Sequence, residues 1–301
     1  MKNLIHLFLL ISLLFFVSCS EQSSDKTAAQ VEPSLGPKNG TLLIIGGAAR
    51  NPLFLETFKE YAGGEDAEII VVPTAYDDNQ IERDSGFVRL KSTFQKAGFT
   101  NIHVLHTRDT ALANTEEFVA PIRKASGVYF MGGRQWRIAD GFLNTRAHKE
   151  FNNLLDRGGI IAGSSAGATI QGSYLARGDT KKNTIMMGDH ETGLGFLKNV
   201  AIDQHILARN RQFDILEILD KKTALLGIGL DENTGILVTY NQFEVIGNHY
   251  VAIFDGTRWS RERDTIYQLE PKSREFYFLK SGDKYDLLNR KVLIEEKKPA
   301  E

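Results

Sequence analysis

Apolar residues in this chain gather into short unbroken blocks, and between the first blocks they recur at steps of three and four. Residues 41–47 (TLLIIGG) and 67–73 (AEIIVVP) are runs closed by glycine or proline, the pattern of strands buried on both faces. Between them Asn51-Pro52 opens a helix, with proline in the first turn, and Gly63-Gly64 closes it. Phe87, Leu90, Phe94 and Ala97 make the apolar stripe of a second helix that stops at Gly98. Further along, the pattern predicts strands over 101–106, 127–131 (GVYFM) and 159–162, and helices over 115–125 and 138–155. Another helix opens at Ala166. From Thr223 onward β-like runs dominate: ALLGIGL, GILVTY, FEVIG and YVAIF.

The alternation predicts an α/β fold, a three-layer sandwich whose central, mostly parallel sheet is covered by helices on both faces. The late runs add strands and hairpins, so residues 40–301 read as one domain that is β-rich toward its end. Ligands of such sheets collect outside the carboxyl ends of the strands. Chemistry is therefore sought in the residues just after each apolar run.

The chain start follows a different pattern. Lys2, an apolar run over 4–17 and a polar stretch predict an export signal over 1–18. The run is too short to span a bilayer comfortably. Cys19 follows at once, and resembles the acceptor of a bacterial lipoprotein signal, cleaved before the cysteine and lipidated on its thiol. Phe16 stands where that signal usually has leucine. The expectation is an exported protein, held by lipid on a bacterial membrane at the cell surface or in the periplasm, or otherwise secreted. Residues 19–39, with their Ser, Gln, Lys and Pro, read as a solvated tether.

Composition narrows the function. A formal net charge of -2 supplies no strong field toward nucleic acid, so no nucleic-acid partner is expected. The single cysteine allows no intramolecular disulfide, and no C-x-x-C or His-rich spacing is present. Neither a metal nor another cofactor is expected.

The stretch GIIAGSSAGATIQG (159–172) carries the strongest chemical signal. Ser165 sits between Gly163 and Gly167 where an apolar run turns into a helix, the layout of a nucleophile elbow. Such a serine occupies a sharp, strained turn, so its neighbours must be small. The Ala166 amide then points at the substrate oxygen, and the Gly133 amide, at the exit of the preceding strand, is the second oxyanion donor. The same small residues also serve plain strand–helix packing, and Gly132-Gly133 is an ordinary strand exit.

A serine needs a base. His6 lies in the signal, His103 and His106 on an edge-like strand, His148 on a polar helix, His190 in a loop and His249 in a hairpin turn. His205 differs: it follows an apolar run (200–202) at a strand end, with Arg209 and Arg211 nearby. Another run, GIGL, ends in Asp231-Glu232, and either carboxylate can orient the imidazole.

Four segments together, GGRQ (132–135), GSSAGA (163–168), DQHILARNR (203–211) and GIGLDENT (227–234), resemble the cyanophycinase group of serine peptidases, family S51. The resemblance runs from about residue 40 to about residue 256. It implies a class I glutamine amidotransferase-like (flavodoxin-like) fold and a triad of Ser165, His205 and Glu232. It also implies a substrate pocket of Gln135, Asp203, Gln204, Arg209 and Arg211, with Asp203 able to take a guanidinium. The implied substrate is a peptide or poly-amino acid: cyanophycin, an aspartate polymer with arginine joined to each side-chain carboxyl, is released as β-aspartyl-arginine dipeptides. A homodimer is compatible with this reading. Two positions depart from the family pattern. Arg134 replaces the aspartate of GGDQ, and Asp214 replaces a third basic residue after the Arg209/Arg211 pair. Two rival readings stand beside this one: an α/β-hydrolase-like esterase using His249 with Asp231 or Glu232, and a surface-anchored binding protein whose cleft Arg134 blocks.

Overall fold

The computed structural model describes residues 34–262, 265–269 and 275–293. The export signal, Cys19 and most of the expected tether lie outside the described residues. Leu35 is already docked: its N–H donates to Asn241 Oδ1 (2.8 Å) and its carbonyl accepts from Lys198 N–H (2.8 Å).

The first half alternates as its pattern predicts. Strand β1 (Thr41–Ile45) leads to helix α1 (Leu53–Ala62), then β2 (Glu68–Val72), α2 (Asp78–Arg83), α3 (Val88–Lys96) and β3 (Asn101–Val104). Helices α4 (Thr110–Ala113) and α5 (Glu116–Lys124) precede β4 (Gly127–Phe130). Helices α6 (Gln135–Phe142) and α7 (Arg146–Asp156) precede β5 (Ile160–Ser164). These strands make a parallel block in the order β3-β2-β4-β5-β1.

The chain then turns through α8 (Ala166–Thr169) into β6 (Gly172–Tyr174) and β7 (Leu197–Gln204), followed by α9 (Leu216–Lys221) and β8 (Leu226–Leu230). The remaining strands are β9 (Thr234–Thr239), β10 (Gln242–Gly247), β11 (Tyr250–Phe254), β12 (Arg258–Glu262), β13 (Thr265–Leu269), β14 (Tyr277–Lys280), β15 (Lys284–Asp286) and β16 (Lys291–Leu293). Strands β9, β10, β15 and β16 extend the first sheet antiparallel from β1, to nine strands. Strands β14-β11-β8-β7-β6 form a separate five-stranded sheet, and β12 and β13 pair as a ribbon.

Period-two burial explains the layers. On β1, Leu42 and Ile44 face one cluster and Leu43 and Ile45 the other. One face packs on α1 and α3 through Phe54, Phe58, Leu90 and Phe94. The opposite face packs on α5 and α7 through Phe118, Ile122 and Phe151, and on the second sheet through Val200, Ile202, Ile228 and Val251. The second sheet's other face lies under α9, through Ile215 and Ile218.

Two expected helices differ in the structure. The segment over 138–155 is not one helix but two. Asn144 adopts a left-handed φ of 61°, and the Thr145 hydroxyl donates to Phe142 O (2.7 Å) while accepting from His148 N–H (3.3 Å). That threonine caps α7, and its bond back to Phe142 ends α6. The helix opening at Ala166 is a single turn, because the chain leaves for β6.

Candidate active site

Ser165 stands at the carboxyl end of β5, beside the ends of β1 and β4. Its backbone is left-handed (φ 57°, ψ -113°), a conformation that a non-glycine residue holds only where its surroundings over-determine it. Three contacts impose it. Ser165 N–H donates to Ile45 O (2.9 Å), Thr169 N–H returns to Ser165 O (3.1 Å), and Gly167 lies flat on β4, where a Cβ would sit 2.1 Å from Phe130 O. The turn aims the hydroxyl out over the sheet edge.

His205 arrives from the second sheet, one residue past β7, with a left-handed φ of 55°. Its Nε2 lies 2.9 Å from Ser165 Oγ, and its Nδ1 lies 2.7 Å from Glu232 Oε1. Glu232 follows β8, which runs parallel to β7 with Gln204 opposite Leu230, so base and carboxylate leave the sheet at the same end. Asp231, the other carboxylate left open by the sequence, turns away. Its Oδ1 accepts the N–H groups of Leu207 (3.1 Å) and Ala208 (2.9 Å), which shapes the turn after His205.

His205 is 5% exposed, and burial, more than any other cause, pushes its pKa below the ordinary 6.5. Arg209 and Arg211 push the same way, while the Glu232 hydrogen bond opposes them. A neutral ring at physiological pH has a free nitrogen to accept the serine proton.

The expected oxyanion donors are main-chain groups. Gly132 abuts the elbow, its built Cβ 3.3 Å from Ser165 Cβ. Arg134 N–H is engaged with Ala75 O (2.8 Å). The Gly133 and Ala166 N–H groups make no hydrogen bond within the described residues, so both remain to meet an anionic oxygen.

The expected pocket residues divide. Gln204 is buried with its side-chain carbonyl unpartnered, and Arg211 keeps a buried, unpartnered Nη1; Arg209 is exposed. Gln135 is fully buried and gives its amide N–H groups to Ala176 O (2.8 Å) and Arg177 O (2.9 Å), leaving Oε1 unpartnered. The expectation that Asp203 takes a substrate guanidinium meets a carboxylate already in use: both its oxygens accept from Arg177 (2.7 and 2.9 Å). Arg134, which the binding-protein reading sets across the cleft, donates through its Nη2 to Asp179 O (2.5 Å). His249 sits outside this group, half exposed and 4.0 Å from Asp231 Oδ2. Among the described residues no cluster of three or more His, Cys, Asp or Glu side chains is arranged to hold a metal.

The pattern of residues had not shown three contributors. Gly46 and Gly47, at the exit of β1, lie against the second sheet, and a Cβ at Gly47 would sit 2.1 Å from the His205 ring. The double glycine after TLLII was the signal for them. Arg177 had no sequence signal.

The family model for peptidase family S51 matches residues 42–246, a span that contains every residue of this constellation. The chain belongs to peptidase family S51. A cyanophycinase from Geminocystis herdmanii is 29% identical over 263 residues, covering 84% of this chain and 94% of that one. A cyanophycinase from Nostoc sp. is 29% identical over 266 residues, covering 84% and 87%. The crystal structure of a peptidase from an acI-B1 actinobacterium superposes with a TM-score of 0.60 at 22% identity, covering 83% of this chain and 98% of that one, a likeness of fold. Membership makes the S51 chain a peptidase of the serine-hydrolase kind, and neither the esterase nor the binding-protein reading accounts for it.

Proposed function

We propose that this peptidase is a serine-type exopeptidase for β-aspartyl, isopeptide-linked peptides, with cyanophycin cut to β-aspartyl-arginine dipeptides as its first candidate substrate. The observation that carries the chemistry is the continuous hydrogen-bonded line from Ser165 through His205 to Glu232. The substrate class is supported by the 29% identity to cyanophycinases across most of both chains.

In this reading His205 Nε2 takes the Ser165 proton as Oγ attacks the amide carbonyl. The Ala166 and Gly133 N–H groups hold the oxyanion, each such donor contributing about 2.7–4 kcal/mol to the transition state. The imidazolium protonates the leaving amine, and Glu232 stabilises it and keeps Nδ1–H aligned. Water, activated by His205, then releases the acyl group. Arg209 and Arg211 receive substrate carboxylates, for which a planar guanidinium suits better than a point charge.

The test is incubation of the purified protein and of Ser165→Ala with insoluble cyanophycin and a panel of β-aspartyl dipeptides, with products read by mass. Wild-type release of β-aspartyl-arginine, reduced by several orders of magnitude in Ser165→Ala, is the expected result. Hydrolysis retained by Ser165→Ala removes the serine from the mechanism. Release of other β-aspartyl dipeptides alone moves the substrate away from cyanophycin.

Export and lipid anchoring belong to the same proposal and rest on the 4–17 run and Cys19. Detergent-phase partitioning of the expressed protein, lost in Cys19→Ser, is the expected outcome. Aqueous partitioning of the wild type refutes the anchor.

A further inference from the structure

The two side chains that depart from the family pattern, Arg134 and Asp214, reach one short segment. Arg134 Nη2 donates to Asp179 O, and Asp214 Oδ2 accepts from Arg177 Nη2 (2.6 Å). Arg177 lies between them, 1% exposed and held at a left-handed φ of 56°. A non-glycine residue seldom sits there without surroundings that demand it. Every guanidinium nitrogen is engaged. Nε donates to Asp203 Oδ1 (2.7 Å), Nη2 to Asp203 Oδ2 (2.9 Å) as well as to Asp214, and Nη1 to Asn183 O (3.1 Å).

Asp203 and Asp214 bracket the stretch that carries His205, Arg209 and Arg211. One guanidinium therefore ties together both ends of the loop that bears the base and the two candidate substrate cations. Asp203 Oδ1 also accepts the N–H (2.8 Å) of Gln204, the residue just before the strained His205. A buried ion pair is weak evidence for stability, and its best-attested use is to fix one arrangement against others. A planar fork that meets both oxygens of one carboxylate and reaches a second is suited to that task.

We propose that Arg177 is a positioning residue: its guanidinium staples Asp203 to Asp214, and so fixes the loop that holds His205 against Ser165. The contact has a second consequence. It withdraws the Asp203 carboxylate from the substrate, so a cationic substrate group finds no free anion there, and the charged contacts left to the substrate are those of its carboxylates with Arg209 and Arg211. The proposal rests on the reading of Ser165 and His205 as nucleophile and base.

Two variants and two readouts test it. Arg177→Lys keeps the charge without the fork, and Arg177→Ala removes both. The first readout is the rate of fluorophosphonate labelling at Ser165, measured on folded protein. Arg177→Ala should label at least about tenfold more slowly, as expected of a displaced base. Arg177→Lys should lose less, and millimolar guanidinium should restore part of the alanine variant's rate. The second readout is the His205 titration followed by NMR, which does not require Ser165 to react. It should move up toward the ordinary imidazole value in both variants, because a loosened loop gives up burial and the nearby arginines. Should Arg177→Ala fail to fold, Arg177→Lys carries both readouts. Folded variants with a wild-type labelling rate and an unmoved titration overturn the proposal. A wild-type protein that never labels overturns the serine reading instead, and the NMR readout still decides Arg177.

Discussion

Gly47→Ala tests how tightly the imidazole is confined. Gly47 leaves β1 with a φ of 135°, and a Cβ built on it would lie 2.1 Å from His205 Cε1 and 2.6 Å from both ring nitrogens. Ordinary carbon contacts begin near 3.5 Å, so the ring would have to move by more than about 1 Å. It has little room to do so usefully, since Ser165 Oγ holds one nitrogen at 2.9 Å and Glu232 Oε1 the other at 2.7 Å. A shift of that size takes at least one bond beyond hydrogen-bonding range. Misplacement by about 1 Å costs on the order of 100-fold in rate, or about 2.7 kcal/mol in barrier. The assay is kcat and KM on a peptide that the wild type cleaves, with the labelling rate at Ser165 alongside. The loss should fall mainly on kcat, because the base serves the transition state more than the bound substrate. The imposed φ adds roughly 1–3 kcal/mol of destabilisation, so urea unfolding is measured to confirm that the assayed protein is folded. A folded Gly47→Ala protein with wild-type kcat would refute the confinement.

Three further outcomes are expected. The acid limb of kcat/KM should fall below pH 6.5, where His205 becomes protonated; Arg209→Gln or Arg211→Gln should move it up and Glu232→Gln down, because the arginines depress this pKa and the carboxylate raises it. A pH–rate profile of each variant checks the signs. His205→Ala should lose turnover by orders of magnitude while His249→Ala keeps it, since the His249 ring is half exposed and stands 4.0 Å from Asp231 Oδ2; steady-state rates of the pair decide. Asp255→Ala should destabilise by roughly 2–4 kcal/mol with turnover kept, measured by urea unfolding. Its Oδ2 accepts both the Tyr277 and Tyr285 hydroxyls (2.7 and 2.8 Å), and Phe254 beside it pairs with Gly227, at the end of β8 remote from Glu232.

The parallel block was legible in the pattern because its strands are buried on both faces and end in glycine or proline. Four of its five strands read as unbroken apolar runs for that reason; β3, at the edge, alternates. The helix break at Asn144-Thr145 was hidden because apolar residues on both sides keep the stripe going, and only the threonine's side-chain bonds reveal the cap. Helix α2 was missed because it buries no side chain; a capping box between Asp77 and Gln80 starts it instead. The division of the late strands between two sheets had no local signature. Strands β8 and β9 are both apolar runs, and which sheet each joins depends on partners far away in sequence.

The same limit applies to the site. Ser165, His205 and a carboxylate at 231–232 were visible because each follows an apolar run. The choice of Glu232 over Asp231 was not legible in the runs, and only the family resemblance implied it, for it depends on which side chain caps the 206–208 turn. Nor does any run show why elements from two sheets meet at one serine. The exit of β1 supplies the reason. Three successive carbonyls there, of Ile45, Gly46 and Gly47, accept the N–H groups of Ser165 (2.9 Å), His205 (3.1 Å) and Asn233 (2.9 Å), the last being the neighbour of Glu232. Each arm of the Ser165–His205–Glu232 line is thus anchored by main chain to one point. Gly46 and Gly47 must lack side chains because Asp231 O and the His205 ring occupy the space a Cβ would take. The spacing of Ser165, His205 and Glu232 is therefore set by the backbone of a single strand end. A substitution there should disturb all three side chains together, where a change in any one of them removes only its own part.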